Sequence, residues 1–520
     1  MSFTSIEFIG FFLLTLAAYY LVPKRCQWIV LLIASYGFYL CGGWATLGYL
    51  LFTTLTTYGA GLWLGKLNDR RESLPTGRQS TARSLKRWKQ LVVAWATLAN
   101  FGLLYLVKYW DFTAGAVARV TGGWLQLPQL NLLMPLGLSF YMFQSVGYVI
   151  DCYRNKYPPQ RNVAKFALFV SFFPQLIQGP ISRFDQLGEQ LTASHPFDAD
   201  NLKYGVQFMM WGYWKKLVIA DRAAVIVNSV FAQPSAYGGV MTALGVGFYC
   251  IQLYCDFSGG IDISRGVAQM LGIHLAENFR RPIFATSLTE YWRRWHITLG
   301  TWMKDYLFYP LSLSKPFGRL GRFTRRHIKG RLGKMIPTSL ATFVVYFVIG
   351  VWHGANFRYI AFGLWNGVLI TGALLLAKPF ATIWTKLGIS RDHRGLRIFR
   401  TLRTMLLVFI GRYITRAPRL MTAIGMLWTT VTRPCLYQLT DGTILQLGLQ
   451  RSDLAVVALG TASVLVVESY QERGGQVRKT LEKQGFFTQW LCIFLPLLGL
   501  LLLGILRGGY IASEFIYKQF

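Results

Sequence analysis

Two histidines stand out among the side chains that can do chemistry. His353 lies in the apolar run FVIGVWHGANFRYIAFGLWNGVL, residues 347–369, where Arg358 is the only formal charge. His296 also follows a tryptophan, in EYWRRWHITLGTWMKDY, residues 290–306. Ionisable groups in membrane-associated segments are costly and tend to mark functional sites, whereas a hydrogen-bonded packing histidine is the alternative for each one alone. The presence of two such histidines, one on either side of a basic segment, favours a functional role over a packing role.

Acyl transfer is the chemistry that these histidines suggest. A buried, neutral imidazole accepts a proton from a hydroxyl while the oxygen attacks an activated acyl carbon. The chain contains no G-x-S-x-G elbow, which favours direct attack by an acceptor hydroxyl over a serine triad. Neither histidine has H-E-x-x-H spacing or a carboxylate cluster. We therefore predict His353 and His296 as catalytic residues, with no metal and no bound cofactor.

Further side chains are predicted to support the site or line a tunnel. Small residues beside His353 leave room for a passage, in which Asn356 would offer a hydrogen bond. Asp305 is interpreted as an orienting or pairing residue for a nearby cation, with helix capping as the alternative. The predicted supporting set is Trp352, Asn356, Asp305, Trp295, Gln178 and Asp256.

An aromatic and basic helix is predicted around His296. Its tryptophans and its cations Arg293, Arg294 and Lys304 favour an interfacial helix on the cytoplasmic leaflet. The same three cations would hold the phosphates of a donor such as coenzyme A.

Composition indicates an integral membrane protein that positions these elements. Of 520 residues, 53% are hydrophobic and only 15% are charged, too few polar side chains to coat one large soluble core. We expect an all-α fold of roughly 11 to 13 spans or re-entrant segments. The net charge of +32 gathers in short stretches, predicted as cytoplasmic loops at about 65–90, 313–335 and 378–403. The positive-inside rule then places the N-terminus outside.

Two other functions of a basic, cysteine-containing chain are disfavoured. Without zinc-finger spacing or an aromatic-basic RNA motif, the positive charge indicates topology and contact with anionic lipid instead of nucleic acid. The seven cysteines include no C-x-x-C pair, which argues against a disulfide framework and structural zinc.

The central segments are polar, aromatic and rich in glycine and proline, which in hydrocarbon requires a protein-lined chamber. They carry three carboxylates, Asp151, Asp256 and Asp262, which would alternatively form a proton or cation path. We favour local pairing of two of them, with Arg154 or Arg265, because no two-half pattern typical of transporters is present.

The chain resembles the membrane-bound O-acyltransferase (MBOAT) family, in its alginate O-acetyltransferase-like and D-alanyl transfer protein-like bacterial branch. The resemblance rests on segments in the same order along nearly the whole chain: PLGLSFYMFQSVGYVIDCYR (135–154), FFPQLIQGPISR (172–183), QLYCDFSGGIDISRGVAQMLG (252–272), ENFRRPIFATSLTEYWRRWHITLGTWMKDYLFYPL (277–311), GVWHGANFRYIAFGLWNG (350–367) and EFIYKQF (514–520). WRRWH, W-x-x-D-Y and VWHGA in this order are highly specific.

The resemblance implies one MBOAT-type domain over residues 1–520, with helices around a thin centre, a funnel and a tunnel. It implies that His353 matches the invariant membrane histidine of the family and that His296 matches the second histidine of the bacterial branch. The basic stretch 315–334 is longer than expected for the D-alanyl branch, and Arg412 and Arg416 stand where we expect a less basic helix.

The predicted function is transfer of an acetyl group from acetyl-CoA, or an acyl-carrier thioester, across the bacterial cytoplasmic membrane. The acceptor would be an exported cell-surface polysaccharide, and an extracytoplasmic acetyltransferase partner would complete the transfer; membrane lipids are the other partners. The alternative within the family is D-alanyl transfer from a carrier protein to teichoic acid. A proton-coupled glycan exporter is the remote alternative.

Overall fold

Helices account for nearly all regular structure in the parts of the chain that the computed structural model describes, residues 1–75, 78–176, 178–388, 390 and 393–504. The first ten are α1 (Ile6–Leu21), α2 (Gln27–Leu40), α3 (Trp44–Glu72), α4 (Gln79–Lys108), α5 (Trp110–Val120), α6 (Leu138–Tyr153), α7 (Val163–Ser171), α8 (Phe173–Leu176), α9 (Phe184–Thr192) and α10 (Ala199–Tyr213). Then follow α11 (Asp221–Ala232), α12 (Gly239–Met270), α13 (Leu288–Arg294), α14 (Ile297–Met303), α15 (Tyr309–Ser312), α16 (Lys315–His327), α17 (Arg331–His353) and α18 (Phe357–Leu375). The last are α19 (Ala377–Lys386), α20 (Arg394–Arg416), α21 (Leu420–Thr432), α22 (Thr443–Gln446), α23 (Arg451–Glu472), α24 (Val477–Glu482) and α25 (Phe486–Leu503). The segment EFIYKQF lies outside the described residues.

Six of the described helices are long and apolar enough to cross a bilayer: α4, α12, α17, α18, α23 and α25. Two shorter helices, α1 and α21, are also apolar. A straight span requires about 20 apolar residues, which the shorter pair does not reach. The all-α membrane fold expected from composition is therefore confirmed at this coarser level.

The basic stretches predicted as loops are instead mostly helical. Within the stretch 65–90, residues 65–72 end α3 and residues 79–90 begin α4, and residues 313–335 contain α16 and the start of α17. The described part of 378–403 lies largely in α19 and α20. Lysine and arginine are good helix formers. The basic residues here therefore lie within the polar ends of the helices and do not interrupt them.

The chain divides into two compact units, the first comprising residues 1–209 and 261–276. In this unit α3 packs closely on α6, because a Cβ at Gly61 would lie 2.7 Å from the ring of Tyr148. The side chain of Asn68 donates a hydrogen bond to the carbonyl of Cys152 at 3.0 Å. Absence of a side chain at Gly61 thus sets how near the two helices lie.

The second unit comprises residues 210–260 and 277–520 and contains both histidines. A π-helical segment, Trp214–Ala220, carries Lys216, whose Nζ lies 2.6 Å from Asp256 of α12 and 2.9 Å from Asp221 of α11. All three side chains are almost fully buried. Breaking such a buried ion pair is costly, so this cluster fixes α11 and α12 against each other.

Candidate functional site

His353 is the last residue of α17, and the packing of α17 on α18 determines where it lies. A Cβ at Gly350 would lie 2.6 Å from Cα of Gly363, and one at Gly354 would lie 2.6 Å from the ring of Tyr359. The two helices therefore approach backbone to backbone, as small residues allow in membrane helix pairs. The imidazole is held one turn from this contact.

The turn after His353 is built by Asn356. Its side-chain oxygen accepts a hydrogen bond from the backbone N–H of Arg358 at 3.1 Å and so caps the start of α18. Asparagine is among the favoured N-cap residues because it satisfies an otherwise unbonded N–H. The structure thus gives Asn356 a capping contact beside the histidine.

His296 does not lie on a continuous helix, contrary to the single amphipathic helix expected from the sequence. Helix α13 ends at Arg294, Trp295 is extended and pairs with Phe279, and His296 has a left-handed φ of 50° before α14 begins. The physical reason is Asn278, whose Oδ1 accepts hydrogen bonds from the Thr298 backbone N–H at 3.0 Å and from its hydroxyl at 2.9 Å.

Asn278 also lies against the histidine itself. The distance from its Oδ1 to Nδ1 of His296 is 3.2 Å, and the imidazole is only 2% exposed. The ring meets Phe257 edge-on, with the centroids 4.9 Å apart. His296 lies outside the six apolar spans. Burial holds its pKa well below the usual value for histidine, and the nearby His353 makes a smaller contribution in the same direction.

Trp352 connects the two imidazoles. Its ring centroid lies 6.1 Å from that of His296 and 4.9 Å from that of His353. The structure therefore brings His296 close to Trp352 and His353, which follow it by more than fifty positions in the sequence.

A small cavity of about 30 Å³ borders His353. Its walls are mainly aromatic, and they include Trp292, Trp295, Tyr359, Phe362 and the guanidinium of Arg412. Trp292 is fixed there because its indole N–H donates to Asn366 at 3.0 Å. The space suits a small, uncharged group next to an imidazole and a cation.

The three cations predicted to bind the donor have different surroundings. Arg293 and Lys304 are exposed. Arg294 instead donates to Glu290 at 2.7 Å and to Glu472 at 2.9 Å. Burial would raise the pKa of Glu290, but hydrogen bonds from Thr286 and the contact with Arg294 outweigh it and lower that pKa. Arg294 therefore holds α13 against α23 and has less freedom to meet a phosphate.

The carboxylates singled out from the sequence lie in different places. Asp256 is paired with Lys216, a partner 40 positions away that sequence reasoning missed. Asp151 lies 4.0 Å from Arg154, as local pairing predicted, and 3.6 Å from Lys156. Asp305 lies in the π-helical turn Lys304–Phe308 that continues α14.

Gln178 belongs to the first unit, whereas both histidines belong to the second. Its side chain is fully buried, and neither amide atom has a hydrogen-bond partner among the described residues. Within those same residues, no group of three or more His, Cys, Asp and Glu side chains is arranged to hold a metal.

Sequence reasoning missed Arg412, Tyr359, Phe362 and Asn278 as members of the site. A signal existed for Arg412, which is the only charge in the apolar run 404–415 of α20 and is only 5% exposed. The aromatic residues and Asn278 carry no such signal, because only tertiary packing brings them to the histidines.

Comparisons with known proteins show which family the chain belongs to. The model of the MBOAT, membrane-bound O-acyltransferase family, matches residues 159–324. The probable alginate O-acetylase AlgI of Pseudomonas syringae pv. tomato is 32% identical over 94% of this chain and 86% of its own length. The peptidoglycan O-acetyltransferase of Helicobacter pylori is 28% identical over 55% of each chain. The teichoic acid D-alanyltransferase of Bacillus subtilis is 28% identical over 53% of this chain and 66% of its own. The chain is a multi-pass membrane O-acyltransferase that belongs to the MBOAT family.

Proposed function

We propose that this protein transfers an acetyl group from a cytoplasmic thioester, acetyl-CoA or an acyl carrier, for O-acetylation of an exported cell-surface polysaccharide. The observation that carries the proposal is the small, aromatic-walled cavity that borders His353, which favours a short acyl group over a long one. Similarity to alginate O-acetylases over more than four-fifths of the chain supports the acceptor class.

His353 would act as the general base. As the acceptor oxygen attacks the acyl carbon, the imidazole takes the hydroxyl proton, the new C–O bond forms and the C–S bond breaks. The proton then passes to the leaving thiolate, so the histidine returns to its neutral state. A positioned base of this kind contributes about 10²–10⁴-fold to rate.

His296, with Asp305, would support the tunnel instead of exchanging the proton. The burial of His296 and its contacts with Asn278 and Trp352 favour a fixed, neutral ring that sets the wall beside His353. Arg293 and Lys304, which are exposed, would meet the donor phosphates.

The wider arrangement follows the same proposal. The chain would form one domain over residues 1–520 with roughly 11 to 13 spans or re-entrant segments, the N-terminus outside and the basic helix ends in the cytoplasm. In the bacterial cytoplasmic membrane, an extracytoplasmic partner would receive the acetyl group and complete its transfer to the glycan.

The test is turnover of labelled acetyl-CoA by the purified full chain in nanodiscs. We expect His353→Ala to lower release or transfer of label by at least about 10²-fold, whereas His327→Ala, an exposed histidine of α16, should match wild type. Equal turnover by wild type and His353→Ala would overturn the assignment. Wild type that ignores acetyl-CoA but accepts a D-alanyl carrier protein would instead support teichoic acid alanylation, which relatives 28% identical to this chain carry out.

A further inference from the structure

Within the part of the chain that the structure describes, Arg412 is a buried cation without an anionic partner. It is 5% exposed, and within the described residues no carboxylate lies at ion-pair distance from it. Among the same residues, the guanidinium makes one hydrogen bond, which Nη2 donates to the hydroxyl of Tyr291 at 2.8 Å. A guanidinium has five N–H donors, so most of its donors are not used by that contact.

Aromatic rings hold the guanidinium in place without neutralising it. Its Cζ lies 5.1 Å from the ring centroid of Trp295 and 6.0 Å from that of Phe362. Such contacts recover about 0.5–2 kcal/mol at most sites, less than the cost of burying an unpaired charge. The free-energy cost of burying this cation therefore falls most when an anion forms beside it.

The cavity that Arg412 borders is the one that His353 borders. Phe362 contacts both residues, since its ring centroid lies 6.2 Å from the imidazole centroid. In acyl transfer, negative charge develops on the carbonyl oxygen as the hydroxyl attacks. Donors fixed in advance around that oxygen lower the barrier because they need no reorganisation.

We propose that Arg412 is the oxyanion-stabilising and donor-selecting residue of this site, an inference that rests on the proposed acyl transfer. The guanidinium stabilises the tetrahedral oxyanion that forms when the acceptor hydroxyl attacks the acyl carbon beside His353. The same positive charge excludes acyl groups that carry an ammonium, because like charges repel strongly in a buried site. The site therefore selects small, uncharged acyl groups over aminoacyl groups.

The donor pair that tests this differs only in charge. Butyryl-CoA and β-alanyl-CoA have acyl chains of equal length that end in a methyl group and an ammonium, respectively. With the full chain in nanodiscs, and coenzyme A release as the readout, we expect wild type to prefer butyryl-CoA by at least about 10²-fold in kcat/KM. Acetyl-CoA serves as the reference donor.

Two variants separate charge from packing. Arg412→Gln keeps N–H donors but removes the charge. It should lower kcat for acetyl-CoA by about 10²–10³-fold and change KM little. It should also reduce the preference for butyryl-CoA over β-alanyl-CoA at least tenfold. Arg412→Lys keeps the charge and should keep the preference. The matched control is Arg416→Gln, one turn along α20. Nη2 of Arg416 donates to Asn228 at 2.7 Å, and Arg416 is not one of the residues that line the cavity. This variant should behave as wild type.

Failure of this inference and failure of the proposed function give different results. If Arg412→Gln retains wild-type kcat, or if it keeps the full discrimination against β-alanyl-CoA, the role of Arg412 is overturned while the loss of activity in His353→Ala still stands. If Arg412→Gln does not fold, loss of the donor preference in folded Arg412→Lys overturns the selectivity. If wild type turns over no acyl-CoA, the proposed donor and this inference fall together.

Discussion

Replacing Gly350 with alanine should move His353 without touching it. The added Cβ would lie 2.6 Å from Cα of Gly363 and from the carbonyl oxygen of Tyr359, whereas ordinary contact begins at 3.4 Å. Both obstacles are backbone atoms, so no side chain can rotate away. Helices α17 and α18 must therefore separate by a large part of an ångström, one turn before the imidazole.

The magnitude follows from two opposing effects. Overpacking costs about 1–3 kcal/mol, and replacing a glycine inside a helix with alanine recovers up to about 1 kcal/mol. The net loss of stability should therefore be small, about 0–2 kcal/mol. Misplacing a catalytic group by about 1 Å can lower the rate about 10²-fold, so activity should fall far more than stability.

Acetyl-CoA turnover and the thermal unfolding midpoint in detergent, measured on the same preparation, test this expectation. Gly372→Ala in α18 is the control, because nothing lies within 4 Å of a Cβ there, and it should keep full activity and a slightly higher midpoint. If Gly350→Ala matched wild type in turnover, the argument that the close contact of α17 and α18 positions His353 would be refuted.

Two further predictions concern the supports of the site. Lys216→Met leaves Asp256 and Asp221 buried together without their shared cation, so it should destabilise the fold by about 3–5 kcal/mol and lower the thermal unfolding midpoint. The same change at an exposed lysine, Lys86, should shift the midpoint little. An unchanged midpoint in Lys216→Met would contradict the pairing. Asn278→Ala removes the acceptor that shapes the break before α14 and should cost about 1–3 kcal/mol together with a fall in kcat; full activity at the wild-type midpoint would show that this contact is dispensable.

The sequence by itself determined the class of the protein and pointed to a candidate for its reacting group. Apolar composition and the placement of charge indicate a helical membrane protein because hydrocarbon tolerates only backbone that is hydrogen-bonded internally. His353 could be singled out because an ionisable side chain in an apolar run is costly. The ordered motifs around both histidines then pointed to the MBOAT family, which similarity to known relatives confirmed.

Local signals failed where distant residues change the backbone or the electrostatics. Periodicity predicted one helix through Trp295 and His296, but Asn278, from the preceding segment, supplies hydrogen bonds that break it. The position of Arg294 in an aromatic and basic segment predicted a cation that binds the donor, yet Glu472, 178 positions away, pairs with it. Neither contact leaves a trace in the spacing of nearby residues.

Only the tertiary structure decided what surrounds His353. Glycines in α17 and α18 permit the approach that places the imidazole, and packing of α20 adds the guanidinium of Arg412 to the same small cavity. Sequence shows that each of these residues is unusual for its segment. Which of them share a cavity depends on side-chain packing between helices far apart in the chain, and that packing turns a lone membrane histidine into a candidate acyl-transfer site.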